Sequence, residues 1–345
     1  MTEPIQQPGR GTAVARVLVA GASGLTGSLA ADLLWRHPRF ELAGLTARSE
    51  AGMRLDHLHP ARRVPLELEE FESIDLDGID AAIVAYPHAA AAPVVGALTD
   101  ADVRVCDLSA DFRISDLSTY EYWYGDHPAP ELIERAVYGL PEINREQIKD
   151  AHIVANPGCY PTATILSLLP LAEADLLREV VIDAKSGVSG AGRAVKEELG
   201  FINVDENVRA YGVEGHRHHP EISEQLTMLA GDKVPLTFVP HLLPLEQGEL
   251  VSCYVRLTRD LDAAELRDLY RERFSSEPFV EVLERPPGVR EVRDTNLCRV
   301  FPLPASEGEM TLVFGVIDNL WKGASSQAIQ NLNLMFGLDE GEGIS

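Results

Sequence analysis

The chain reads as α/β: a Rossmann-like dinucleotide-binding domain followed by an α+β catalytic domain with a mainly antiparallel sheet. Three observations point there. A Val-rich run, Ala13 to Ala20, leads into glycines at Gly21, Gly24 and Gly27 and then into an apolar, helically spaced stretch, SLAADLLWRH. Short buried strands and helical runs alternate as far as about residue 150, which marks a parallel, doubly wound sheet. Beyond it the strand-like runs lengthen and become more polar on one face. A length of 345 residues suits two such domains.

In order, the first strand is Ala13 to Ala20 and the second Phe40 to Thr46, ending at Ala47-Arg48-Ser49. A third, Ile79 to Ala85, follows an acidic stretch. A fourth, Val103 to Asp107, follows a helical run from Ala89. A buried strand ends at Ala155, and Pro161 marks the start of an apolar helix, because proline is tolerated in a first helical turn. The second domain offers strands at Val180 to Lys185, Leu236 to Pro240, Glu249 to Leu257 and Met310 to Asp318, with a helix over Asp262 to Ser275. The last helix, Ala324 to Met335, reads as amphipathic, and the acidic GLDEGEGIS end as a frayed tail. The expected domains are 1–155, to which 321–345 packs back, and 156–320, which carries catalysis and oligomerisation.

Composition narrows the function. Lys+Arg number 30 against 54 Asp+Glu, a formal net charge of -24. Such a surface repels phosphate backbones and anionic headgroups, so neither nucleic acid nor membrane is expected as a partner. Two stretches without charged side chains, Ala81 to Thr99 and Ala151 to Ala172, carry prolines and polar groups and read as buried segments of a soluble protein. The four cysteines, Cys106, Cys159, Cys253 and Cys298, form no CxxC pattern, and the first fifteen residues lack an apolar run; a reduced, cytoplasmic protein is expected.

Gly21, Ser23, Gly24, Leu25, Thr26 and Gly27 sit where a strand turns into a helix. Glycine lets the backbone approach a pyrophosphate there, and the helix N-terminus supplies N–H groups and partial positive charge. The alternative is a tight turn that needs only positive φ. Arg48 and Ser49 end the second strand, where an NAD site usually has an acid; a guanidinium and a hydroxyl suit a 2′-phosphate, so NADP(H) is expected. Arg48 as a plain solvated charge, with Glu50 close by, stays open.

Asn156-Pro157-Gly158 forms a turn that leaves Cys159 at a helix N-terminus. Position there favours a thiolate, which is the nucleophilic form, and the same N–H groups could hold an oxyanion. Cys106, Cys253 and Cys298 read as small buried hydrophobes. His216 and His218 lie in Gly215-His216-Arg217-His218-His219. A His-x-His pair could ligate zinc, but no second ligand cluster stands out, and no metal is expected. Either imidazole could exchange a proton with Cys159 at neutral pH. If the segment is extended, Arg217 points away from both, and His219 is a bystander.

Assembled, ANPGCYPTA, DLSADFR, WYGDHPAPEL, YGLPEINRE, KSGVSGAGR, GHRHHPEI, PHLLPLEQG and IDNLWKGA resemble, nearly end to end, the N-acetyl-gamma-glutamyl-phosphate reductase family, which is related to aspartate-semialdehyde dehydrogenase. The resemblance implies NADPH-dependent reduction of N-acetyl-L-glutamyl 5-phosphate to the 5-semialdehyde in arginine biosynthesis, by a homodimer or homotetramer acting on a small acyl phosphate. It implies Cys159 as nucleophile, His218 rather than His216 as the acid–base residue, Arg113 and Asn156 at the substrate, and Ser186, Gly187 and Asn319 near the nicotinamide. Leu25 stands where the family often has an aromatic, and His219 where a Thr is common. The same chemistry on an aminoadipyl phosphate, a non-catalytic NADP-binding regulator and a zinc hydrolase are the rival readings.

Overall fold

The structure is a computed structural model of the chain and describes residues 7, 12–191, 201–304 and 310–344. It divides into two compact units, Met1–Pro157 with Ala324–Ser345, and Gly158–Gly323. The breaks lie two and three residues beyond the expected ones, the first just before Cys159 and the second at the turn into the last helix.

The first unit is built on six strands, β1 (Ala15–Ala20), β2 (Phe40–Thr46), β3 (Ala81–Val84), β4 (Arg104–Asp107), β5 (Ala136–Tyr138) and β6 (Ile153–Ala155). They form one sheet in the order β2-β1-β3-β4-β6-β5, and every pairing is parallel. Their near-continuous apolar sequence follows from this. A parallel sheet is covered on both faces, so alternation has no role. On one face Leu18, Ala82, Val84, Val105 and Ile153 pack with Val95 and Leu98 of the helix Ala92–Asp100.

Two expectations fail in the C-terminal part of this unit. The chain passes through a π-turn at Trp321–Ser325 into a helix over Ser326–Met335, and that helix is buried on every side rather than amphipathic in its exposure. Its polar face is covered by backbone and acidic groups: Asn333 Nδ2 donates to the carbonyls of Glu340 (3.2 Å) and Glu342 (2.9 Å), and Gln330 Nε2 to Glu340 Oε2 at 2.9 Å. The tail is correspondingly not frayed. Glu340 also pairs with Arg145 at 3.2 Å, His37 Nε2 meets the Glu342 carbonyl at 2.8 Å, and Ile344 is buried. Composition hides this, because the tail is held mainly by its polar groups, with Ile344 its buried apolar side chain.

The second unit has seven strands: β7 (Leu177–Ser186), β8 (Arg209–Ala210), β9 (Leu236–Leu242), β10 (Glu249–Leu257), β11 (Val280–Val282), β12 (Cys298–Leu303) and β13 (Thr311–Ile317). Their order is β11-β12-β13-β10-β7-β9-β8. The sheet is mixed: four pairings are antiparallel and two, β7 with β9 and β11 with β12, are parallel. Neither parallel pair is joined by a hairpin: the connection from β7 to β9 carries the helix His218–Ala230, and that from β11 to β12 is a loop with a single 3-10 turn at Val289–Glu291. An apolar helix, Cys159–Glu173, packs across this sheet, buried from Tyr160 to Ala172. The Tyr270 hydroxyl, from the helix Ala263–Phe274, donates to the Ser167 carbonyl at 2.6 Å and pins the two helices together.

Candidate active site

In the first unit the turn after β1 is tied to the end of β2, because the amides of Gly21 and Ala22 both donate to the Thr46 carbonyl, at 3.0 and 2.8 Å. Gly24 is the N-cap of the helix Leu25–Arg36 and contributes no side-chain cap. A Cβ on Gly27 would lie 2.2 Å from the Gly21 carbonyl oxygen, so only glycine permits this close return of helix on turn. The Ser23 carbonyl accepts from His59 Nε2 at 2.9 Å and that of Thr26 from Ser325 Oγ at 2.8 Å. Gly21 through Gly27, with Ser23, Leu25 and Thr26, therefore form one braced turn with a helix N-terminus at its centre.

At the end of β2, Arg48 and Tyr86 line a cavity of about 300 Å³ together with Ala47, Glu70, Phe71, Glu72 and Val94. The Arg48 guanidinium lies 5.4 Å from the centre of the Tyr86 ring, whose hydroxyl is 2.8 Å from Thr46 Oγ1. Ser49, paired with Arg48 in the expectation, donates instead to Glu50 Oε2 at 3.0 Å. A glycine turn that admits no side chain, with a cavity under an exposed guanidinium at the next strand end, fits a dinucleotide carrying a 2′-phosphate.

The SADFR segment is structural before it is anything else. Asp111 accepts from the amides of Ala89 and Ala92, at 2.8 and 2.9 Å, and from Tyr120 at 2.8 Å. Asp107 is buried against Ser109, whose hydroxyl lies at 2.6 Å, and burial pushes its carboxyl up to about 7. Arg113 is buried, with Nε on the Asn156 carbonyl and Nη2 on the Leu108 carbonyl, both at 2.7 Å. Asn156, expected at the substrate, has no exposed surface; its Nδ2 reaches the Ala324 carbonyl at 3.3 Å and its Oδ1 accepts from Asn331 at 3.0 Å. With its amide engaged by protein, Asn156 positions the turn.

In the second unit the helix begins at Cys159, with Gly158 as N-cap, two residues before the expected start at Pro161. Proline needs no hydrogen-bonded N–H anywhere in the first turn, so it marks that turn and not its first residue. The Gly158 amide donates to Glu221 Oε1 at 2.9 Å. A Cβ on Gly158 would come within 2.5 Å of His218 Nε2, so the imidazole rests on the backbone immediately before Cys159.

The His-Arg-His segment is not extended. Arg217 has helical dihedrals (φ -60°, ψ -21°) and caps the helix His218–Ala230, so both imidazoles fall on one side of a turn. The His218 amide donates to His216 Nδ1 at 3.1 Å, and the rings lie 5.0 Å apart. His216 packs against Tyr160, Tyr211 and Phe238. Burial first, then the charge of Arg217, lowers its pKa to about 4. His219 turns to the Leu236 carbonyl at 3.5 Å.

Ser186, Gly187 and Asn319 converge around Gly248. The Gly187 amide donates to the Gly248 carbonyl at 2.9 Å, and Asn319 Oδ1 accepts from the Gly248 amide at 2.7 Å. Asn319 Nδ2 donates to Ser189 Oγ at 3.0 Å, and Ser186 Oγ to the Gly187 carbonyl at 3.1 Å. Gly192 and Arg193, which end the KSGVSGAGR block, lie outside the described residues. Cys106, Cys253 and Cys298 are buried and unpaired by disulfides, and burial pushes the thiols of Cys106 and Cys253 up. Among the described residues no cluster of three or more His, Cys, Asp or Glu could hold a metal ion, and no helix is long and apolar enough to cross a membrane.

Two residues escaped the sequence reading. Glu221 lies one helical turn beyond His218, an i, i+3 spacing that was legible in principle. Glu249 heads the strand β10, where an acid reads as a solvated strand end, yet it is fully buried, and burial pushes its carboxyl up to about 8.

A parallel dinucleotide fold joined to a mixed-sheet unit with a cysteine at the first position of its buried helix defines a class, the semialdehyde dehydrogenases. The family model described as "Semialdehyde dehydrogenase, NAD binding domain" matches residues 16–151, and "Semialdehyde dehydrogenase, dimerisation domain" matches residues 159–319. Among solved structures the chain resembles aspartate semialdehyde dehydrogenase II of Vibrio cholerae (TM-score 0.72, 18% identity, 93% of this chain and 98% of that one). It also resembles aspartate semialdehyde dehydrogenase with NADP from Candida albicans (TM-score 0.71, 14% identity, 94% and 98%). Sequence relatives are nearer: an N-acetyl-gamma-glutamyl-phosphate reductase of Laribacter hongkongensis is 46% identical over 95% of this chain and 97% of its own. One of Alkalilimnicola ehrlichii is 47% identical over 94% and 96%. The chain belongs to the N-acetyl-gamma-glutamyl-phosphate reductase family.

Proposed function

We propose that the chain catalyses NADPH-dependent reduction of N-acetyl-L-glutamyl 5-phosphate to the 5-semialdehyde with release of phosphate, as a cytoplasmic enzyme of arginine biosynthesis. The observation that carries this reading is Cys159 at the first position of a buried helix, with the His218 imidazole against the glycine that precedes it. The Cys159 sulfur attacks the acyl carbon; the S–C bond forms and the bond to the phosphate oxygen breaks, leaving a thioester. N–H groups of the first helical turn stabilise the oxyanion as it develops. Arg113, braced on the Asn156 carbonyl three residues before Cys159, is the charge-assisted partner of the phosphate.

Bound NADPH supplies the hydride that takes the thioester to the aldehyde level. Gly21 through Gly27 hold the pyrophosphate, Arg48 holds the 2′-phosphate, and Ser186, Gly187 and Asn319 shape the nicotinamide end. His218 takes the proton of Cys159 as the sulfur attacks, gives it to the oxygen that becomes negative at the hydride-transfer step, and removes it again as the C–S bond breaks and the aldehyde and thiolate separate. His216, with its pKa near 4, stays neutral at physiological pH and packs the site. The family description "dimerisation domain" for residues 159–319 supports a homo-oligomer.

The test follows NADPH absorbance with N-acetylglutamyl phosphate and, separately, with an aminoadipyl phosphate. Consumption with the first that requires Cys159 is expected. Preference for the second moves the assignment to the other acyl phosphate, and loss of neither activity in Cys159→Ser rules out the covalent route.

A further inference from the structure

The strand β13 runs into a buried aspartate. Asp318 has no exposed surface, and its carboxyl group gathers the chain around it. Its Oδ1 accepts from the amides of Leu320 and Trp321, at 2.9 and 3.1 Å, and its Oδ2 from the amide of Asp294 at 2.8 Å and from Gln247 Nε2. Its carbonyl accepts from the Gly323 amide at 2.9 Å, a bond of π spacing at the turn that begins at Trp321. Asn319, in the same turn, is tied to the Gly248 amide. The far end of the turn lies on the nucleophile. A Cβ on Gly323 would come 2.7 Å from Cys159 Cβ, 3.2 Å from its Cα and 3.2 Å from Ile317 Cδ1. Gly323 does not have a positive φ, so it is glycine for closeness and not for its dihedrals. A buried carboxyl group costs stability unless it is hydrogen-bonded, and here four donors offset that cost while fixing one turn.

We infer that Asp318 is a positioning residue for the nucleophile: it fixes the turn from Asp318 to Gly323, the Gly323 backbone is thereby held against Cys159 Cβ, and that contact sets the direction of the sulfur. Asp318 acts through Gly323 and exchanges no proton. One rotatable bond decides where a cysteine sulfur lies, and backbone packed on Cβ limits the staggered positions open to it. A sulfur attacking an acyl carbon must approach to about 3–3.5 Å with the developing oxyanion on its N–H groups. Alkylation at a saturated carbon needs a thiolate but no such N–H groups. Asp318→Asn puts an amide nitrogen where one oxygen stood, so one of the two donor pairs then faces another donor and the turn relaxes. The inference rests on Cys159 as the reactive residue of the proposed function, although it concerns the aim of the sulfur and not the identity of the substrate.

The test compares two reactions of Cys159 in the full-length wild type, Asp318→Asn, Gly323→Ala and the double variant. One is acylation by p-nitrophenyl acetate, followed by p-nitrophenolate release; the other is alkylation by iodoacetamide near neutral pH. Peptide mass spectrometry places each label on Cys159, and circular dichroism checks that each variant is folded. In Asp318→Asn acylation is expected to fall about tenfold while alkylation stays within about twofold of wild type. With N-acetylglutamyl phosphate, kcat falls about 100-fold and KM stays within about threefold. A role in folding or thiol ionisation alone would move both Cys159 rates together. Gly323→Ala shows the same split, and the double variant acylates within about twofold of the slower single variant, because both changes act at one contact. Equal loss of acylation and alkylation, wild-type rates in Asp318→Asn, or single effects that multiply in the double variant overturn the inference. If Asp318→Asn does not fold, Gln247→Met, which removes one of the four donors, decides: acylation slower by about threefold with alkylation unchanged supports the inference, and wild-type values for both overturn it. If the wild type consumes neither acyl phosphate, the proposed reaction falls, and the two rates at Cys159 still decide the role of Asp318.

Discussion

At the residue scale the site separates two histidines that the sequence leaves equivalent. His218 touches the backbone before Cys159, whereas His216 is packed among Tyr160, Tyr211 and Phe238 with its pKa lowered to about 4. His218→Asn is therefore expected to lower kcat by about 100-fold or more with little change in KM, the usual worth of a general acid–base group. His216→Asn is expected to lower kcat by less than tenfold, through loss of ring packing. Steady-state kinetics of the pair checks this, and the reverse order overturns the assignment. Cys159 was legible because Pro161 and the preceding Asn-Pro-Gly turn announce a helix start. The histidine geometry was not, because His-Arg-His reads equally well as strand or turn until Arg217 is seen in helical dihedrals. Glu249 was illegible for the opposite reason, since nothing local distinguishes a buried acid from a solvated one.

At the element scale the glycine before the nucleophile is a tight joint between two helix starts. A methyl at Gly158 would sit 2.5 Å from His218 Nε2, and the imidazole would have to move away from Cys159. Gly158→Ala is expected to cut kcat by about 100-fold, in line with the cost of a 1 Å misplacement, while NADPH binding stays as in wild type. Normal kcat in that variant would show that the imidazole position is not critical. Element boundaries were legible where side chains mark them. Asp262 and Glu265 form a capping box at the start of Ala263–Phe274, within one residue of the expected helix. They were less legible where tertiary context decides, as with the mixed pairing of β7 and β9, which depends on what the intervening helix covers.

At the scale of the whole molecule, net charge and buried acids act together. The formal charge is -24, so self-repulsion opposes the folded state and salt screens it. Asp107, pushed up to about 7, and Glu249, pushed up to about 8, each take up a proton on folding because burial disfavours their anions. A group raised in this way contributes stability below its ordinary range, about pH 4, that is lost as pH climbs through the folded value. His216 has the opposite sign: its pKa falls on folding, so its contribution is lost as pH drops from about 6.5 toward 4. The melting temperature is thus expected to fall from about pH 6 to about pH 9 and to rise with added salt at every pH, as scanning calorimetry would record. A melting temperature that increases toward alkaline pH would contradict this balance. The two-unit plan itself was legible from strand length and polarity. The return of the C-terminal helix to the first unit was expected as well, with its break three residues earlier; the ordering of its acidic tail depends on contacts with Arg145, His37 and Asn333 that no local pattern signals.

The most direct test of the central claim leaves the cofactor out. Mixing the protein with N-acetylglutamyl phosphate alone and taking the intact mass should reveal one acyl group per chain, attached at Cys159 and discharged when NADPH is added. An unmodified chain that still turns over when NADPH is present would mean that no thioester forms.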